Sequence, residues 1–460
     1  MTADATQSRA GIAAGALPVS TRAGYGVGDF AVNLFFQSAL LFLLFFYTDV
    51  AGIAAATAAA VLLVARLVDA VTDPVMGVIA DRTRTRWGRF RPYVLLGGPL
   101  LAIMAVATFT APELSPDGKV IYAYATYIMF GIAYTVVSIP YSSLTSALTE
   151  DSHERTVLST HRMAFAMLGG LLVGAVTLPL VAAFGGGATG YQMTLGVYGV
   201  IACGLLAMTF FTTRERKFAH EDVPTLRETL RALKAGGLPL ALLIFAFWMG
   251  MTAFTVRSAA IIFYFKYNIG REDLVTLFIV ATAVFNFIGI VMVPFVAKRF
   301  GKRMTYLLGA FLGCLSGVAL YFTPTDQIAM IFIVSCIGAI MFAGPTVMAW
   351  SMLPDAVDYA ELRSGVRADG AIYAATSFFQ KMAMAVGGAG AALILSFTGY
   401  VPNVPQAPEA LGGILFMVAL GPVVLFVLGA IAMLFYTLTD DKFSEVSTAL
   451  AEQRAARLDV

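Results

Sequence analysis

The chain has 460 residues, of which 59% are hydrophobic and 13% charged, with a mean hydropathy of +0.81, whereas soluble domains carry roughly a quarter charged residues. A water-soluble globule is therefore excluded. The formal charge of +2 is near neutral, so only the placement of charges informs and no nucleic-acid partner is expected.

Met1 to Thr21 is polar and Ala-rich and lacks the basic start and short apolar core of a cleavable signal, so the first span is expected to act as the insertion signal. A spanning helix takes about 20 mainly apolar residues. Apolar runs between turn and charge signals predict spans over 25–48, 56–80, 92–112, 120–146, 160–184 and 191–212, and again over 238–265, 273–297, 304–323, 327–352, 370–398 and 410–437. The expected organisation is an all-α integral membrane protein. It has a tail at 1–24, a six-helix half at 25–213, a charged link at 214–237, a second six-helix half at 238–437 and a tail at 438–460. Cys203, Cys314 and Cys336 fall in apolar tracts without metal or disulfide spacing and read as packing residues.

Of the 30 lysines and arginines, only Lys119, Lys266 and Arg271 fall in odd-numbered links, and Arg66, Arg162, Arg257 and Lys381 inside spans. The rest crowd the termini and the even-numbered links, which predicts cytoplasmic ends for both termini. Arg82, Arg84, Arg86, Arg89 and Arg91 make the link after the second span the most basic, a run that also suits anionic headgroups. The second span runs into DRTRTRWGRFRP from Asp81 and the eighth into AKRFGKRM from Ala297, each with a glycine (Gly88, Gly301) followed by a basic residue. Such parallel repeats are typical of major facilitator carriers, with solute held between the halves near the midplane.

A charge at mid-bilayer costs roughly 3 kcal/mol on insertion scales, so each must be paired or face water. Arg66, Asp69 and Asp73 follow i, i+3, i+7 spacing and share one helical face. The two carboxylates are close enough along the helix to hold one small cation or to share a proton, and Thr72 can add a hydroxyl oxygen. In the alternative reading Arg66 only neutralises one aspartate. Lys381, midway along the eleventh span, needs an anionic partner and could compete with a bound cation, unless it snorkels to the interface. Arg257 lies inside the seventh span, and Arg162 near the start of the fifth serves as anchor or functional group. Asn33 and Gln37, one turn apart on the first span, suit either a hydroxylated solute or helix-helix bonding.

These residues resemble the glycoside-pentoside-hexuronide cation symporters, the melibiose permease branch of the major facilitator superfamily. The likeness spans nearly the whole chain through YGVGDF from Tyr25, FYTDVAG from Phe46, ARLVDAVTDPVMG from Ala65, RWGRFRP from Arg86, SIPYSSL from Ser138, Glu154-Arg155, MLPDAVDY from Met352, GVRADGAIY from Gly365 and FFQK ending at Lys381. The resemblance implies a twelve-helix major facilitator fold of two six-helix halves with a central cavity. It further implies a coupling-ion site at Asp69, Asp73, Thr72 and Thr135, with Lys381 as the family lysine. Sodium, lithium or a proton would then be the coupling ion, with no other cofactor. The two acids that grip galactosides in melibiose permeases correspond to Asn33 and Ser138, while the supporting arginine matches Arg162. With those acids gone and Arg162 and Arg257 present, the expected solute is an uncharged glycoside or a uronide.

The resulting expectation is a monomeric, lipid-embedded symporter of a bacterial inner membrane, importing a small solute by alternating access. Sodium-dependent lysolipid carriers of vertebrates resemble the same branch and supply the alternative of an amphiphile as cargo. An embedded enzyme is a remote alternative, since His153, His161 and His220 fall in or near links expected to be cytoplasmic and no G-x-S-x-G occurs. A non-transporting sensor is another, disfavoured by the retained acid pair and lysine.

Overall fold

The computed structural model describes residues 17–149, 152–215, 226–365 and 369–458. Most of the expected N-terminal tail, the middle of the central link, residues 366–368 of the GVRADGAIY stretch and the final two residues lie outside the described residues. Among the described residues 12 helices are long and apolar enough to cross a membrane. They are α1 Val19–Val50, α2 Ala55–Arg82, α3 Arg91–Thr108, α4 Pro116–Thr145, α5 Val157–Ala183, α6 Gly187–Thr212, α7 Leu233–Ile269, α8 Glu272–Phe300, α9 Lys302–Phe322, α10 Ile328–Ser364, α11 Ala375–Phe397 and α12 Pro408–Leu434. A further, polar helix, α13, covers Asp440–Leu458.

The span count agrees with the apolar pattern, and the differences lie at the ends. α10 runs past the expected stop at 352 because Leu353–Ser364 begins a fresh turn with proline near its start, where a missing amide hydrogen costs nothing. α1 and α7 end in π-helical turns at Phe46–Val50 and Tyr264–Ile269. α7 is broken near its start at Gly237, whose φ of 58° only glycine takes readily.

The chain divides into two compact units. The first comprises Met1–Ala39, Leu67–Glu113 and Ile121–Ala219. Its helices approach through small residues: a Cβ at Gly97 would meet Val137, and one at Gly169 would lie 3.0 Å from the Phe30 carbonyl oxygen. The second comprises Leu40–Arg66, Leu114–Val120 and His220–Val460. There Gly289 abuts the Ile340 backbone and Gly309 the Met341 carbonyl, which lets α10 lie close against α8 and α9. A buried cluster including Leu243, Tyr306, Met348, Val357 and Met433 joins α7, α9, α10 and α12. Phe295, Phe322 and Phe397 are among the large apolar side chains left exposed, as lipid-facing helices require.

The same device closes each helical set. Gly88, at φ 111°, lets the chain turn into α3, and the backbone N–H groups of Arg89 and Phe90 just before it and of Arg91 at its start donate to the Glu215 carboxylate at 2.7, 2.8 and 3.0 Å. Arg91 then holds the end of α6, donating to the Phe210 carbonyl from Nε at 3.2 Å and Nη2 at 2.7 Å. In the second unit Gly301, at φ 78°, precedes α9, and the Lys302 N–H donates to Asp440 at 2.9 Å. Arg303 clasps the carbonyls of Met433, at 3.0 Å, and Leu434 at the end of α12. The repeated glycine and basic residue seen in the sequence is therefore a helix start neutralised by an acid that follows the sixth helix of each set.

Candidate ion and solute site

Asp69 and Asp73 stand one turn apart on α2, and Gly131 and Thr135 stand one turn apart on α4. The two pairs meet rung against rung. Thr135 Oγ1 donates to Asp73 Oδ1 at 2.8 Å. Opposite Asp69 the rung is glycine, and a Cβ at Gly131 would lie 2.5 Å from Asp69 Oδ1. Only a residue without a side chain lets that carboxylate lie against the α4 backbone. Asp69 is 6% exposed and Thr135 2%, whereas Asp73 is half-buried, so one carboxylate of the ladder is shielded and the other is partly open. Oxygen is its only donor element, which suits a small hard cation or a proton and not a soft metal. Thr72, expected as a further oxygen, turns its hydroxyl to the Asp69 carbonyl at 3.4 Å. Arg66 and Lys381 are half-buried in α2 and α11 and belong to the second unit.

The solute candidates of the first unit gather along α1, α4 and α5. Asn33 donates from Nδ2 to the Asp29 carbonyl at 2.9 Å, and a Cβ at Gly170 would lie 3.0 Å from Gln37 Nε2. The glycine pair Gly169 and Gly170 on α5 therefore makes room for both amides of α1. Ser138 is half-buried on α4, one turn from Thr135. Arg162 Nε donates to Asp29 Oδ2 at 3.3 Å, and its guanidinium lies 5.1 Å from the centre of the Tyr141 ring and 5.9 Å from that of Tyr25. Tyr25 and Tyr141 stack at 5.0 Å, with the Tyr141 hydroxyl donating to the Tyr25 carbonyl at 2.5 Å.

Asn33 and Ser138 remain the neutral residues at those two positions, and Asp29, one turn before Asn33 and not among the expected site residues, neutralises Arg162. The YGVGDF stretch held the signal: a lone acid inside a span, spaced four residues from a candidate amide. Arg257 differs, since among the described residues no carboxylate lies in ion-pair reach of it. Its electrostatic neighbours are Tyr264 and Cys336.

The twelve apolar spans among the described residues define a multi-pass membrane protein, and the family and relatives that the chain matches are transporters, not enzymes. The model of the MFS/sugar transport protein family matches residues 24–440, and the chain belongs to that family, in its glycoside-cation symporter branch. It is 38% identical to the isoprimeverose transporter of Lactiplantibacillus pentosus, over 98% of this chain and 95% of the relative. It is 34% identical to a putative glycoside/cation symporter of Escherichia coli (strain K12), over 96% of each chain. It is also 34% identical to a glucuronide carrier protein homolog of the same organism, over 93% of this chain and 94% of the relative. The fold resembles that of a bacterial homolog of the human lysosomal transporter Spinster in an inward-facing, unoccupied conformation, with TM-score 0.66, 14% identity and coverage of 93% and 97%. It likewise resembles the nucleoside transporter NupG, with TM-score 0.63, 13% identity and coverage of 91% and 100%.

Proposed function

We propose that the chain is a cation-coupled symporter that imports a sugar, glycoside or uronide across a bacterial inner membrane by alternating access, as a monomer with both termini in the cytoplasm. The observation that carries this reading is the ladder in which Asp69 and Asp73 of α2 face Gly131 and Thr135 of α4. Two carboxylates one turn apart within a membrane span form a site that a cation or proton can neutralise. Neutralisation by sodium, lithium or a proton then changes the charge seen by the rest of the site, and Lys381 is the group assigned to compete for the pair. Arg66 shares that charge balance.

Among the relatives, one is called an isoprimeverose transporter and one a glucuronide carrier homolog, which supports a sugar-like cargo. Asn33, Gln37 and Ser138 supply neutral hydrogen-bonding groups beside the Asp29–Arg162 pair, as hydroxylated solutes require. Arg257 is the guanidinium left to meet an anionic group. Moving one charge through 100 mV is worth about 2.3 kcal/mol, so an inward cation gradient suffices to accumulate solute.

The test is uptake in vesicles with imposed sodium or proton gradients, across a panel of glycosides and uronic acids. Asp73→Asn is expected to insert normally, to abolish gradient-driven accumulation and to leave downhill exchange measurable. Undiminished uphill uptake by that variant would refute the assignment.

A further inference from the structure

The π-helical turns at the ends of α1 and α7 meet within the second unit, and π turns in long helices frequently mark functional positions. Between them Asp49, with a side chain 1% exposed, gathers donors from separate segments. Lys266 Nζ donates to Oδ1 at 2.9 Å, and the Tyr267 hydroxyl donates to the same oxygen. The Tyr400 hydroxyl donates to Oδ2 at 2.5 Å, and Thr48 donates to it at 2.7 Å. From the link at 398–407, Asn403 adds its side-chain amide to the Asp49 carbonyl at 2.8 Å and accepts from Lys266 at 2.8 Å. Its backbone N–H donates to the Tyr267 hydroxyl at 2.9 Å, from a residue at φ 59° that asparagine tolerates.

Under this hub lies an aromatic floor. Lys266 sits 4.8 Å from the centre of the Phe45 ring, and Phe263 packs edgewise on Phe45 and on Tyr400, each at 5.5 Å. Burial, together with the neighbouring Asp49 carboxylate, raises the Tyr400 phenol above its ordinary value, so it stays protonated and donates.

A merely structural joint would not need a carboxylate here, because an apolar cluster holds helix ends as well as a buried ion pair does and often better. A charged hub behaves differently. Its bonds depend on one group, and that group regains hydration when the segments part, so closing and opening differ little in free energy. That is the property of a reversible contact.

We propose that Asp49 is the latch residue of the transport cycle: its carboxylate holds the ends of α1 and α7 and the 398–407 link shut on the face opposite the basic links, and breaking its bonds opens that face. The inference rests on the alternating-access reading above, but its test uses no solute and no cation gradient, so the two can fail separately.

The experiment is sided labelling of the full chain with a membrane-impermeant maleimide, with Cys203, Cys314 and Cys336 replaced by serine and Ala260→Cys as reporter. Ala260 is completely buried and lies one turn before Phe263 on the same face of α7. In vesicles exposing the face opposite the basic links, Asp49→Asn is expected to raise the labelling rate at least tenfold. In inverted vesicles no rise is expected, and Asp49→Glu should restore slow labelling in part. Tyr400→Phe, which removes one donor from a link and leaves the helices intact, should raise the rate about threefold and serves if Asp49→Asn does not reach the membrane. An unchanged rate in a variant present at normal level, or an equal rise from both faces, would overturn the latch.

Discussion

At the scale of single residues, the acid-hydroxyl ladder turns on two residues of α4, Thr135 and Gly131. A hydrogen bond to a charged group is worth about 1.5–3 kcal/mol. Thr135→Ala is therefore expected to weaken the apparent affinity for the coupling cation by about tenfold or more, while Thr135→Ser keeps it within about threefold. Gly131→Ala should do comparable damage without removing any ligand, because its methyl would press on Asp69 Oδ1 from a helix backbone that cannot retreat. Both effects are read from the cation dependence of uptake at equal membrane levels; a normal cation dependence in Gly131→Ala would mean that Asp69 has no fixed seat. Asp69 and Asp73 were legible in the sequence because charge inside an apolar span is costly wherever it occurs. Gly131 was not, since a glycine in a membrane helix has no chemistry of its own and acquires its role only from the carboxylate across from it. Asp29 fell between these cases, being a charge within a span whose partner Arg162 lies 133 residues away.

At the scale of helices, starts and stops are governed by where backbone groups find partners. The first N–H groups of a helix lack intrahelical acceptors, and α3 and α9 satisfy theirs with Glu215 and Asp440, acids distant in sequence. Loss of a cap costs about 0.5–2 kcal/mol. Glu215→Ala and Asp440→Ala are accordingly each expected to lower the thermal stability of the detergent-purified protein measurably and by similar amounts. Gly88→Ala should exceed Glu215→Ala, since it adds backbone strain at φ 111° to the displacement of Glu215. Melting curves decide this, and an unchanged midpoint in Glu215→Ala would remove the cap from the account of the fold. The repeat itself was legible as a glycine followed by a basic residue. Its meaning was not, because the acids that complete it stand well over one hundred residues downstream and obey no fixed spacing. The π turns of α1 and α7 were equally hidden, as the apolar pattern continues through them without interruption.

At the scale of the whole molecule, the twelve apolar helices among the described residues are an even number, which agrees with the proposal that both termini share one face. Which face follows from charge: the arginines from Arg82 to Arg91 and the basic pairs at Lys298–Arg299 and Lys302–Arg303 resist translocation, whereas the links near Thr110, Gly270 and Asn403 carry few positive charges. In the orientation proposed above, the 398–407 link that supplies Tyr400 and Asn403 to the Asp49 hub is external and α13 is cytoplasmic. Intact cells expressing a cysteine-free background should accordingly label Val404→Cys, an exposed position, with an impermeant maleimide. Lys442→Cys, exposed at the start of α13, should label only after the cells are permeabilised. The reverse pattern would place the basic links outside, in conflict with the charge bias, and would put the Asp49 hub on the cytoplasmic face, where it would guard the exit of an imported solute instead of its entry.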